Sequence, residues 1–218
     1  MNLQTILAFL KELKSNNNRD WFNENRKQYE NAKREFEGLT NSIIPKLYDL
    51  DPQIGTPNAK KSIFRIFRDV RFSKDKSPYK TNFGCFIAKG GRKGGHAGYY
   101  FHVEPGKSFV GGGMYMPPSD ILKKVRSEVM YHVDEFKGII QDKAFRKYFD
   151  EIEGEKLKRP PKGFPADFPD IELLKMKSYV VLKPLDDNQI VSEGLGQYVI
   201  NAFGAMVPLV HFLNRAMD

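Results

Sequence analysis

The residues best suited to chemistry lie in one run, Arg65-Ile66-Phe67-Arg68-Asp69-Val70-Arg71-Phe72-Ser73-Lys74-Asp75-Lys76-Ser77-Pro78-Tyr79-Lys80. Guanidinium groups grip carboxylates and phosphates through paired N–H donors, and ammonium groups meet the same anions as point charges. Arg65, Arg68 and Arg71 are therefore expected to pair with a small anionic molecule, such as a phosphorylated metabolite or nucleotide. Lys74, Lys76 and Lys80 would close over it and Tyr79 would donate a hydrogen bond. Asp69, Asp75, Tyr79 and His102 are the candidates for acid or base, and spacing does not select among them. The run is not a P-loop. No GxxxxGK[ST] pattern exists, because Phe101 stands where Gly106-Lys107-Ser108 would need its upstream glycine.

The charge of the chain is concentrated here. Its 35 basic and 27 acidic residues leave a net charge of +8. Residues 60–93 hold 11 cations against Asp69 and Asp75, while the rest of the chain carries 24 basic and 25 acidic residues. A charge placed for solubility alone would be spread out, so an anionic partner at this segment is the reading to weigh.

Two other readings compete. Phe64, Phe67, Phe72 and Tyr79 interleave with the cations as stacking surfaces for nucleic acid do, although no RNP, helix-turn-helix or zinc-finger pattern accompanies them. In the third reading the arginines pair with the chain's own acids and the surface meets a protein partner. That reading requires a carboxylate beside each inward arginine and no open cleft.

Arg68 is the diagnostic residue. Residues 63–72 alternate as a strand does, which predicts Phe64, Ile66, Arg68, Val70 and Phe72 on one inward face. A guanidinium among four apolar side chains must find a partner.

Other chemistries find little support. Cys85 is the single cysteine, so an internal disulfide is excluded and a reducing, cytoplasmic setting is the default expectation. His96, His102, His132 and His211 have no metal-ligand spacing, and no metal or cofactor is expected. No N-terminal signal is read and no apolar run is expected to reach membrane-spanning length.

The elements that must position the run read as α+β in a single domain over residues 1–218. Helices are predicted at about 3–14 and from Arg19 to about Ile44, with Pro45 as a break or kink. Strands follow at about 62–71, 83–88, 98–104 and 108–115. Pro105-Gly106 closes an antiparallel hairpin, and Gly90-Gly91-Arg92-Lys93-Gly94-Gly95 is a flexible connection. Gly111-Gly112-Gly113 inside a strand marks a place where a helix or a ligand packs directly on the sheet. Helices from Ser119, at about 134–141 and 142–150, and near 169–175 follow, then a strand near 178–183. The last helix carries Leu195, Val199, Phe203, Met206, Val210 and Leu213 on a buried face. The sheet is thus largely antiparallel and packed by N-terminal and C-terminal helices.

Five stretches together resemble a bacterial and fungal family known as domain of unknown function 2461. They are Asn18-Arg19-Asp20-Trp21-Phe22, the run from Arg65 to Thr81, Gly98-Tyr99-Tyr100-Phe101-His102-Val103, the triple glycine with Tyr115 and Pro117, and Lys158 to Phe164. The resemblance spans nearly the whole chain. It implies a single α+β domain and carries no catalytic residues with it.

Overall fold

The computed structural model describes residues 2–217. Helices α1 (Leu3–Ser15), α2 (Arg19–Glu24), α3 (Arg26–Leu50) and α4 (Ala59–Ser62) precede strands β1 (Phe83–Ala88), β2 (Gly98–Val103) and β3 (Ser108–Met114). Then come α5 (Ser119–Tyr131), α6 (Val133–Gln141), α7 (Lys143–Arg146), α8 (Ile171–Leu174), β4 (Tyr179–Leu185), α9 (Asp187–Val191) and α10 (Leu195–Arg215). The architecture is α+β in one domain, with helices at both ends of the chain around a four-stranded antiparallel sheet in the order β1-β2-β3-β4.

Local chemistry explains the helix boundaries. The Asn18 side chain accepts from Trp21 N at 3.0 Å and starts α2. Asn25 then donates its backbone and side-chain N–H groups to Trp21 O, each at 2.9 Å, and splits the single helix expected from Arg19. Pro45 does not break α3, which runs on to Leu50 because Ile43 and Leu47 on either side of it are both buried. Burial on the two flanking turns outweighs the one hydrogen bond that proline removes.

The sheet has two unlike faces. Phe83, Cys85 and Ile87 of β1, Tyr99, Phe101 and Val103 of β2, and Val110, Met114, Tyr179 and Val181 of β3 and β4 are buried. They pack against α3 and α10, where Phe36 stacks on Phe83 and Phe101, and Phe203 meets Tyr99. The opposite face shows the alternate residues, in cross-strand rows Gly84–His102–Phe109–Pro184 and Phe86–Tyr100–Gly111–Leu182. Their non-glycine members are half-buried, apart from the exposed Pro184. The sheet edges are occupied by irregular chain. Phe64 N donates to Gly84 O at 2.9 Å on the β1 side, and Glu153 N donates to Val180 O at 2.7 Å on the β4 side.

The triple glycine marks a helix crossing. A Cβ on Gly112 would fall inside van der Waals contact of Met206 Cε on α10 and of the Gly98 carbonyl on β2. Gly113 has φ +106, a region that L side chains rarely adopt. Helix α10 is pinned at a second point by buried Asp51, just after α3. Asp51 accepts from Tyr99 Oη at 2.7 Å, His211 Nε2 at 2.9 Å and Gln53 N at 3.1 Å.

Helix α10 is also the most apolar long segment of the fold. It has 21 residues, and an 18-residue stretch of it with mean hydropathy 1.2 is long and apolar enough to cross a membrane by length and composition alone, although half of that stretch is buried inside the fold.

The largest local correction concerns residues 62–71, which do not form a strand. Residues 59–62 are helical, and Ile63 and Phe67 make only isolated bridges, to Cys85 and Tyr79. The chain turns back on itself after Arg68, so its hydrogen-bond partners lie in its own return segment. Arg68 N donates to Pro78 O at 2.9 Å and Lys80 N to Ile66 O at 2.7 Å. Of the five residues expected inward only Ile66 is buried, while Phe72 is 97% exposed.

Gly112→Ala forces the added methyl against the backbone carbonyl of Gly98 as well as the tip of Met206, so it should destabilise the fold by about 2–4 kcal/mol. A denaturant midpoint equal to wild type would show that α10 does not press on β3 as described.

Candidate anion site

The run 65–80 is held by the motif that follows α1. Asn17 donates from Nδ2 to Tyr79 O at 2.9 Å and accepts from Tyr79 N at 3.1 Å. The Tyr79 ring is buried and lies flat on Phe22, with centroids 3.9 Å apart and planes at 13°. Tyr79 is therefore a core anchor, and its ring does not face the cations as a donor to a ligand would.

Residues 69–77 form a loop whose aspartates pair with the arginines of the same run. Arg68 pairs with Asp75 and reaches Ser73 Oγ at 3.3 Å. Arg71 grips Asp69 through Nε at 2.9 Å and Nη2 at 2.6 Å, an exposed pair. Lys76 Nζ donates to Val70 O at 3.0 Å. The Ser77 hydroxyl and backbone N–H, and then Arg68, hold the Asp75 carboxyl well below the usual carboxylate range. Arg68, Arg71 and Lys76 thus brace the loop, and Lys74 is exposed at its surface. The seven residues of the expected anion site do not converge.

Two of them do meet, with a third cation that periodicity had not singled out. Arg92 Cζ lies 4.7 Å from the centre of the Phe64 ring, and Lys80 Nζ lies 5.5 Å from it. Burial, and then the charges of Arg65 and Arg92, hold the Lys80 ammonium below its ordinary value. Among the described residues none of these three cations is joined to a carboxylate by an ion pair. Arg92 donates from Nε to Lys61 O at 2.6 Å, which aims its guanidinium. It borders a groove of about 570 Å³, also lined by Thr56, Asn58, Lys61, Gly91 and Lys93. Gly90 and Gly91 have φ of 73 and 72, so the connection between β1 and β2 uses its glycines to turn tightly beside the groove.

A polar chain adjoins the cluster on the open face of the sheet. The Phe64 ring meets Tyr100 edge-on, with centroids 6.0 Å apart. Tyr100 Oη lies 3.0 Å from His102 Nδ1, and His102 Nε2 lies 3.3 Å from Glu104 Oε2. Thr81 Oγ1 donates to the other Glu104 oxygen at 2.8 Å. Glu104 only accepts, which places the proton on Nε2 and leaves Nδ1 to accept from the tyrosine. Burial lowers the His102 pKa, with Glu104 opposing, and burial raises the Tyr100 hydroxyl to about 12. The chain can pass a proton between Tyr100 and Glu104 through a neutral imidazole. A Cβ at Gly84 would lie 2.5 Å from Tyr100 Oη, so the glycine makes room for the hydroxyl. Tyr100, His102 and Glu104 stand at i, i+2 and i+4, a period-two signal legible in the sequence once a strand is assigned there. Cys85 offers no nucleophile, since burial raises its thiol pKa to about 11.

Fold and site together define a one-domain α+β protein whose unpaired cations gather at one edge of a half-open sheet. Residues 5–212 match the family described as conserved hypothetical protein (DUF2461), and the chain belongs to that family. Neither a curated protein nor a solved structure matches it.

The Asp75 brace contributes stability that is fully present above the ordinary aspartate value of about 3.9 and is lost as pH falls through its lowered pKa. At pH 7.5, Asp75→Asn should speed tryptic cleavage after Arg71, Lys74 and Lys76 severalfold while leaving the global melting temperature in place. An unchanged cleavage rate would refute the brace.

Proposed function

We propose that this protein binds a small phosphorylated molecule or nucleotide through Arg65, Lys80 and Arg92, with the adjoining groove taking the body of the ligand. One observation carries the reading. Lys80 and Arg92 share the ring of Phe64 without an ion-paired carboxylate, and burial, followed by the charges of Arg65 and Arg92, holds Lys80 below its ordinary value. Like charges held together without a counter-charge cost stability, and such costs concentrate at binding sites. A phosphate dianion would relieve the repulsion through charge-assisted hydrogen bonds.

The structural reading has support for a different part of the run. The half-buried Arg68 has found Asp75, as that reading requires of an inward arginine, and the exposed Arg71 has found Asp69. The two readings divide the run between them, with a braced loop at 68–77 and an anion-seeking cluster at its base.

The test is a thermal-shift titration with inorganic phosphate, pyrophosphate and nucleotides against sodium chloride of equal ionic strength. A ligand at about a hundred times its Kd should stabilise by about 2.7 kcal/mol, or roughly 5–10 °C. Lys80→Gln and Arg92→Gln should abolish the shift, and Arg71→Gln should keep it. No shift with any of these anions, or equal loss in Arg71→Gln, would sink the proposal.

Removing the charge has its own expected signature. Without ligand, Lys80→Met should raise the melting temperature at low salt by roughly 1–2 °C, because it relieves the repulsion. A lower melting temperature would mean that Lys80 is held by favourable contacts instead.

A further inference from the structure

The open sheet face carries a second feature, at the far side from the cations. His102 and Phe109 are cross-strand neighbours whose rings lie parallel, with centroids 4.7 Å apart and planes at 13°. Beyond Phe109 is a hollow of about 230 Å³, bounded by Leu182, Pro184, Lys107 and Glu153. A hollow with an aromatic wall, apolar sides and a cation at its rim has the chemistry of a slot for a planar base with a phosphate beside it.

The slot and the cation cluster stand apart by a distance set by the sheet. Phe64 is joined to the outer edge of β1, and Phe109 lies on β3, two strands further on. Three strand spacings amount to about 15 Å. One nucleotide cannot hold its phosphate at Lys80 and its base beside Phe109. A chain of several can, with its backbone passing over Tyr100 and the small Gly84 and Gly111.

Among the described residues the two longest helices leave this face to other segments. Helices α3 and α10 lie on the other side, where the buried side chains are. Charge complementarity selects the occupant, because the cluster offers unpaired arginine and lysine rather than an apolar groove alone.

We infer that the open face of the sheet binds single-stranded nucleic acid, with phosphates at Arg65, Lys80 and Arg92 and a base stacked on Phe109. The inference rests on the anion-binding reading of those three cations and extends it from a small ligand to a polymer.

The experiment is fluorescence anisotropy of labelled oligothymidylates of one to eight nucleotides, with the wild-type chain in 20–200 mM salt. Affinity should rise steeply once the strand is about four nucleotides long, the small end of single-strand site sizes. Three phosphates neutralised on a single strand give a slope of about −2 in log K against log salt. Phe109→Leu keeps an apolar cover but removes the plane, and should weaken the eight-mer roughly tenfold. Lys80→Gln should flatten the salt slope by about 0.7. Circular dichroism confirms that both variants are folded.

Inorganic phosphate or a mononucleotide that binds with no gain from length overturns the inference and leaves the small-ligand reading standing. Absence of binding by phosphate and oligonucleotide alike removes both. A duplex or polyglutamate that competes as well as single strand, with Phe109→Leu neutral, overturns the base slot and points to general polyanion or protein binding.

Discussion

The long helices of this chain bury their apolar stripes against a single face of one four-stranded sheet. That constraint is set where α10 crosses β3, because Gly112 lets Met206 approach the sheet at backbone distance. A helix seated so low leaves the inner face dry and closely packed, with Tyr99, Phe101, Val110 and Val181 inaccessible to solvent. It also commits α3, through the Asp51 contact with Tyr99 on the sheet and His211 on α10, to the same side. Among the described residues the opposite face carries mostly rings and polar groups, with Leu182 beside them.

The basic run is solved in two ways along its length. Its middle closes on itself, because aspartates at positions 69 and 75 lie within reach of Arg71 and Arg68 once the chain turns back at Arg68. Its base is different. Arg65 and Lys80 are brought side by side by the Lys80 N–H to Ile66 carbonyl bond, and Arg92 joins them from the connection between β1 and β2. Among the described residues no carboxylate is ion-paired to this second group, although the loop shows that the chain can place acids where it needs them. The contrast within a few ångströms of chain separates arginines spent on internal pairs from those that are not.

Aromatic side chains follow the same division. Phe9, Phe22, Tyr29, Phe36 and Phe83 form one continuous cluster that ties α1, α2 and α3 to β1, and Tyr79 joins it through Phe22. Phe64, Tyr100, His102 and Phe109 form a second band on the outer face. The Tyr100–His102–Glu104 chain belongs to this band and holds its polar atoms in fixed orientation, anchored at one end by Thr81. Rigid rings and oriented donors on a surface cost little further entropy on binding.

The fold was largely legible in the sequence, because periodicity reports burial on one side and that is what builds the helices and the antiparallel hairpins. The buried face of α10, the close approach at Gly112 and the strands over 83–88 and 98–103 all follow from local pattern. The seven residues expected to meet an anion were legible only as composition and alternation. Alternation over 63–72 matched a strand, but the chain found better partners in its own return at 78–80, so Phe72 faces solvent and Tyr79 lies in the core. Which cations are paired depends on through-space distances between residues that the chain turns set, and no spacing rule encodes them. By itself the sequence determined that surplus positive charge sits between residues 60 and 93. Only the tertiary structure decided that Arg68 and Arg71 are spent on Asp75 and Asp69, leaving Arg65, Lys80 and Arg92 together without a carboxylate, because that depends on where the chain turns back.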